Sequence, residues 1–187
     1  MSEVTDRLRL LDAWCRVDRV VVRHDDGSEW DRVVEDHGAS SAVLPYDVSR
    51  CVCLMVSMPR PAVLLEGATS NLLEMPAGML DDGETFEGAA LREAHEEAGV
   101  RLKSLEPVVT LWTMPGLSTE RVGIFLAPYD LSDRVTAGGG ALDENERITV
   151  SEVPFDRLKA MAMTGQLQDG KTLVAVQALM LRYPSLF

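Results

Sequence analysis

Short apolar blocks punctuated by turn residues recur along the whole chain, and their spacing sets the expected elements. Val17, Val20, Val21 and Val22 are β-branched and read as a strand. The turn signal His24-Asp25-Asp26-Gly27 follows, and an extended pattern resumes from Trp30 to Val34. A hairpin this small is rarely stable alone, so residues 1–38 are expected to form a β appendage packed on the main body or on a second subunit. His37-Gly38 reads as a hinge, and residues 39–187 as the main domain. There, Ala42-Val43-Leu44 and Cys51 to Val56 read as buried strands separated by a turn from Pro45 to Arg50. Leu72 to Met75 is a further short strand, stopped by Pro76. Helical spacing runs from about Thr85 to Ala98 and ends at Gly99, with Val100 as the apolar partner of a Schellman ending. Strands follow near 108–113 and 122–127, and helices near 155–164 and 172–182. This mixture predicts a layered α/β sandwich.

Composition narrows the partners. At 187 residues the chain fits one domain with a small addition, long enough to bury roughly 70% of its unfolded surface without a disulfide or metal staple. Asp and Glu number 30 against 18 Lys and Arg, a formal charge of −12. That balance argues against nucleic acid and against an anionic membrane, which both reward basic residues. Cys15, Cys51 and Cys53 fit neither a disulfide framework nor a zinc motif by spacing, and are expected to be buried thiols in a reducing compartment. The opening stretch is interrupted by charge every few residues, unlike a signal peptide, and no run approaches the roughly eighteen apolar residues of a membrane helix. The expectation is a cytoplasmic protein.

Candidate chemistry concentrates between Glu74 and Gly99. Residues 74–97 hold eight carboxylates and one base, Arg92. On a helix Glu93 and Glu97 stack one turn apart, with Glu96 on the same side. Like charges so placed cost an isolated helix only about 0.2–0.5 kcal/mol per pair, so a solvated acidic face is the plain alternative to a metal site. A second motif competes: Gly165 to Thr172 satisfies the P-loop formula literally. It lacks the preceding strand, because residues 156–164 have helical spacing, and it reads as a turn between helices.

Gly78, Glu84 and the run Arg92-Glu93-Ala94-His95-Glu96-Glu97-Ala98-Gly99-Val100 resemble the Nudix hydrolase signature at every fixed position. The resemblance implies a Nudix α/β/α sandwich with a mixed sheet. It also implies Mg²⁺, with Mn²⁺ as a substitute, held by Glu93, Glu97, Glu96 and the Ala77 carbonyl. Such hard oxygen ligands suit these ions. Glu84 and Arg92 pair as a structural salt bridge on this reading, and His95 is a surface residue.

Leu73-Glu74-Met75-Pro76-Ala77-Gly78 is similar to the run found in the branch that hydrolyses ADP-ribose and nucleotide sugars. Met114 to Glu120 resembles that branch's substrate loop, and the C-terminal part looks closest to GDP-mannose hydrolases. The implied substrate is a nucleoside diphosphate sugar, with ADP-ribose and GDP-mannose not separated, and the implied assembly is a homodimer. The resemblance suggests Arg60, Glu120 and Gly78 as substrate-binding residues, although the polar neighbours usual before Arg60 are replaced by Ser57-Met58-Pro59. Trp14 either stacks on a nucleobase from the partner subunit or belongs to the core.

Residues 133–147 form a Gly-rich acidic loop of the length and composition of an active-site lid. By resemblance Glu146 is a candidate ligand, and Glu144 a candidate general base counted with Glu97 among the catalytic residues. Both also fit a solvated acidic loop. From another class, the alternative is an idle Nudix domain that senses a nucleotide or mediates dimerisation.

Overall fold

The computed structural model describes residues 1–67, 72–140 and 147–187. In chain order its elements are β1 (Glu3–Asp12), β2 (Arg16–Arg23), β3 (Glu29–Asp36), β4 (Ser40–Asp47), β5 (Val52–Met58), α1 (Pro61–Leu65), β6 (Leu72–Glu74), β7 (Ala77–Met79), α2 (Phe86–Ala98), β8 (Glu106–Trp112), β9 (Arg121–Pro128), β10 (Thr149–Pro154), α3 (Phe155–Met163) and α4 (Gly170–Arg182). None of the described helices is long and apolar enough to cross a membrane.

Two compact units are present. One comprises Met1–Ser40 with Thr110–Val122, the other Ser41–Val109 with Gly123–Phe187. The first therefore takes in a later segment, 110–122, that hydrophobic pattern alone leaves with the main body. Its sheet has the order β1-β2-β3, so the expected hairpin gains a third strand. β1 escapes the pattern because none of its ten residues is buried, and nothing forces its charges onto one face. Asp18 is buried in β2 and accepts from Arg7 and Arg9 of β1, which offsets the cost of burying a carboxylate. His37 is partly buried, with Trp14 stacked on it at 5.5 Å.

The second unit is built on a sheet of order β10-β5-β4-β9-β8, with β6 paired to β5 and β7 to β4. Successive side chains of a strand point to opposite faces, and β4, β5 and β9 are buried on both. Both faces are therefore covered, as an α/β/α sandwich requires. One layer is α2, whose Ala90, Ala94 and Ala98 recur every four residues and pack with Val43, Leu54, Val56, Phe125 and Ala127. Small side chains let the helix approach the sheet closely. Thr85 caps its N-terminus by accepting from Gly88 N–H, and Gly99 at φ 67° ends it, with Val100 N–H bonded to the Ala94 carbonyl. That is the Schellman ending expected from sequence.

Several boundaries differ from the sequence expectation for identifiable reasons. β4 runs through Pro45 to Asp47, and the turn begins only where the Asp47 carboxylate accepts from the backbone of Ser49 and Arg50. α1 and β10 carry no strong periodicity, being five and six residues long. Of the three cysteines only Cys53 is buried; Cys51 is exposed in the β4–β5 turn and Cys15 is half-buried. His95 is half-buried rather than on the open surface. The P-loop lookalike is indeed a helix-to-helix turn, since residues 164–169 join α3 to α4.

Residues 131–140 are fastened to the end of α2. Val135 and Thr136 N–H bond the Gly99 carbonyl, Gly139 N–H bonds the Glu97 carbonyl, and Gly140 N–H bonds that of Glu96. These bonds satisfy carbonyls that a helix terminus leaves without partners. A methyl on Gly138 would strike the backbone at Glu97 and Ala98. The glycine run lets one backbone lie directly on another, so the described part of this loop is bonded in place rather than loose.

Candidate active site

The alanine stripe that seats α2 on the sheet leaves Glu93 and Glu97 on another side of the same helix. Both are nevertheless buried, at 8% and 3% exposure. β7 and the turn after it close over them. Ala77 N–H donates to Glu97 Oε2 at 2.8 Å. Gly78 lies so near Glu93 that a Cβ there would overlap the carboxylate. Here a glycine is required for space, because its backbone is not in the left-handed region. The loop and helix that the resemblance links do meet here, and the Ala77 peptide and Gly78 are points of contact.

Arg92 ties the arrangement together. Its guanidinium donates to both Glu84 oxygens at 3.2 and 3.0 Å, to the Met79 carbonyl at 2.8 Å, to Glu93 Oε1 at 2.7 Å and to Glu96 Oε2 at 3.1 Å. Asp81 lies 3.6 Å away. The Glu84–Arg92 pair therefore does link loop to helix, and the same cation also orients Glu93 and Glu96. Hydrogen bonds from Arg92, opposed by burial, hold the Glu84 carboxyl below its ordinary value of 4.5. The Arg92 guanidinium is raised in turn, chiefly by Glu84.

This linkage gives a pH dependence with a definite sign. A carboxylate that titrates lower in the folded state binds fewer protons there than in the unfolded chain. Its stabilisation is complete above about pH 4.5 and lost as the pH falls through the lower folded value. Glu84→Gln should therefore flatten the acid limb of stability, read as the urea midpoint between pH 7 and pH 3. Identical slopes for wild type and variant would remove the Arg92 pairing as the cause.

The match to known proteins follows this geometry. The domain described as the NUDIX domain matches residues 37–173, well over half the chain. The chain belongs to the Nudix family. A GDP-mannose pyrophosphatase of Cronobacter sakazakii is 38% identical over 168 residues, covering 89% of this chain and 83% of that protein. A protein of the same name from Escherichia coli is 34% identical over 169 residues, covering 90% and 84%. A crystal structure of an ADP compounds hydrolase superposes with a TM-score of 0.77 at 17% identity, covering 98% of this chain and 95% of that one, a likeness of fold.

Arg60, just before α1, forks onto the buried Glu74 of β6 at 2.8 and 3.2 Å. Burial works against its charge, and the Glu74 bond with the fields of Glu97 and Asp169 more than offsets this, so the guanidinium is raised. Glu120 accepts from Ser40 Oγ at 2.6 Å and Thr113 Oγ1 at 2.7 Å. Trp14 is 81% exposed, which removes it from the core. Glu144 and Glu146 lie outside the described residues.

By sequence Glu74 is one more acidic residue among eight. In the fold its carboxylate is 3% exposed and bonded by both Arg60 and Lys171, the latter at 2.7 Å. Lys171 also bonds Asp169 at 2.9 Å, and Thr172 Oγ1 accepts from Met75 N–H. The Asp-Gly-Lys-Thr run is the N-terminal turn of α4, which docks the helix on β6. The available signal was a Glu inside a strand otherwise apolar, which demands a buried cationic partner.

Proposed function

We propose that this Nudix protein hydrolyses the pyrophosphate bond of a nucleoside diphosphate sugar, of GDP-mannose or ADP-ribose type, to a nucleoside monophosphate and a sugar phosphate. Supporting this are the buried Glu93–Glu97 pair beside Arg92 and two relatives above 30% identity that carry the name GDP-mannose pyrophosphatase.

The donor set fits a hard divalent cation. Arg92 brings one positive charge to Asp81, Glu84, Glu93 and Glu96, while Glu97 lies a turn from Glu93, so carboxylates outnumber the cation that orients them. On this reading Glu93, Glu97, Glu96, the Ala77 carbonyl and Glu146 hold Mg²⁺, for which Mn²⁺ substitutes. When bound, the ion neutralises the diphosphate and lowers the pKa of an attacking water. The protein's own part is placement. Arg92 fixes Glu93 and Glu96, the Ala77 amide fixes Glu97, and Gly78 admits the chain close to Glu93. Arg60 supplies a planar cation suited to a phosphate, and Glu144 or Glu97 takes the proton of the attacking water. Trp14, acting from a partner subunit, and Glu120 stand as substrate-binding residues on the family resemblance alone.

A homodimer joined through the N-terminal sheet agrees with the surface of β1, which leaves Val4, Leu8, Leu10 and Leu11 more than half exposed. The same reading places the protein in the cytoplasm, where thiols such as Cys15 and Cys51 stay reduced. No nucleic acid or membrane partner is assigned.

The test is a panel: GDP-mannose, ADP-ribose, other nucleotide sugars and dGTP, each with Mg²⁺, read as phosphate released after phosphatase treatment. Turnover of a nucleotide sugar above dGTP is expected. Turnover of dGTP alone would overturn the substrate class, and no turnover of any diphosphate would favour an idle, nucleotide-sensing domain.

A further inference from the structure

Cys15 and His37 are 22 positions apart, and no sequence spacing links them. The β1–β2 turn and the end of β3 bring them together on either side of Glu35. Cys15 Sγ lies 3.3 Å from Glu35 Oε2, and His37 Nδ1 lies 3.1 Å from Glu35 Oε1. One donor atom from each residue falls within 4.8 Å of the other two. All three belong to the N-terminal unit and share no residue with the α2 carboxylates.

We propose that Cys15, Glu35 and His37 form a binding site for a borderline-soft divalent ion of the Zn²⁺ class. Ligand atoms about 2.0–2.3 Å from a tetrahedral ion stand roughly 3.3–3.7 Å from one another, so the present spacing needs only small side-chain adjustment. Sulfur, nitrogen and oxygen from three residues make a zinc-type set, whereas Mg²⁺ favours all-oxygen surroundings. Three protein donors leave a fourth position for water or an exogenous ligand.

The histidine supplies the strongest sign. Its Nδ1 is buried and, despite its nearness to Glu35, makes no hydrogen bond of acceptable geometry. An ion seated among these three donors would give that nitrogen a well-aligned partner. On the other side of the ring, Nε2 faces Glu120 Oε2 at 3.8 Å, and Glu120 is itself held by Ser40 and Thr113. A carboxylate behind an imidazole is the outer arrangement that orients metal-bound histidines. Trp14 stacked on the ring at 13° fixes its plane. Glu35 is anchored by its backbone, through its N–H to the Leu117 carbonyl and its carbonyl to Thr119 N–H.

Co²⁺ serves as the spectroscopic probe. The full-length protein, with excess Mg²⁺ to occupy hard-oxygen sites, is titrated with Co²⁺ and its absorption recorded. One equivalent should produce a thiolate-to-cobalt charge-transfer band with intense visible bands of low-symmetry, four-coordinate cobalt. Zn²⁺ should bleach both. Cys15→Ser should abolish the charge-transfer band, and His37→Gln should abolish or strongly weaken the visible bands, with circular dichroism showing the fold intact. Absence of the band in the wild type, or its persistence in Cys15→Ser, would overturn the site. Because the readout is spectral, it is independent of which phosphate substrate the protein cleaves.

Discussion

Replacing Glu93 and Glu97 together by Gln is expected to lower nucleotide-sugar turnover by at least about a thousandfold, a loss of about 4 kcal/mol of transition-state stabilisation. The substitution keeps side-chain volume, and the amide oxygen introduced by Glu97→Gln can still accept from Ala77 N–H. What it removes is negative charge on two buried groups one helical turn apart. A solvated acidic face would lose little on such a change, whereas a metal-holding pair would lose the reason for its burial. The measurement is kcat with Mg²⁺ beside the urea midpoint. A variant that keeps both its midpoint and its activity within tenfold would overturn the assignment of these carboxylates.

The second large effect is expected at Gly78→Ala. The left-handed backbone that often explains a required glycine is absent here, so alanine can adopt the local conformation. Its methyl, however, would occupy the space of the Glu93 carboxylate. Either Glu93 turns away, breaking its 2.7 Å bond from Arg92, or β7 lifts from α2. A displacement on the ångström scale at a reacting centre costs about a hundredfold in rate, and overpacking of this kind costs about 1–3 kcal/mol of stability. Steady-state kinetics with a thermal melt should show both losses. Unchanged kcat and unchanged melting would mean that the loop tolerates the methyl and does not position Glu93.

These two tests probe the part of the molecule most legible from sequence. The helix from about Thr85 to Ala98 and its Gly99 ending are local in the chain, so pattern and spacing expose them. Glu84 reaching Arg92 across one loop was legible through the family resemblance, and the structure shows the pair formed. What stayed hidden depends on tertiary neighbours. β1 buries none of its residues, so its strand character shows only as pairing with β2. Glu74 is partnered by Lys171, 97 positions later. The Cys15–Glu35–His37 grouping exists only because a hairpin returns the chain on itself. Cysteine spacing, read alone, argues against any metal there.

The bonding of residues 131–140 to the last turn of α2 constrains how the polypeptide can change length. Up to Gly140 the path is pinned to Gly99, Glu97 and Glu96. An insertion between Val135 and Gly140 would slide the pinned amides past their carbonyls, much as a missed stitch throws off a seam. Added or lost residues within 135–140 should therefore lower the urea midpoint, because each pinned amide would part from its carbonyl on the end of the helix.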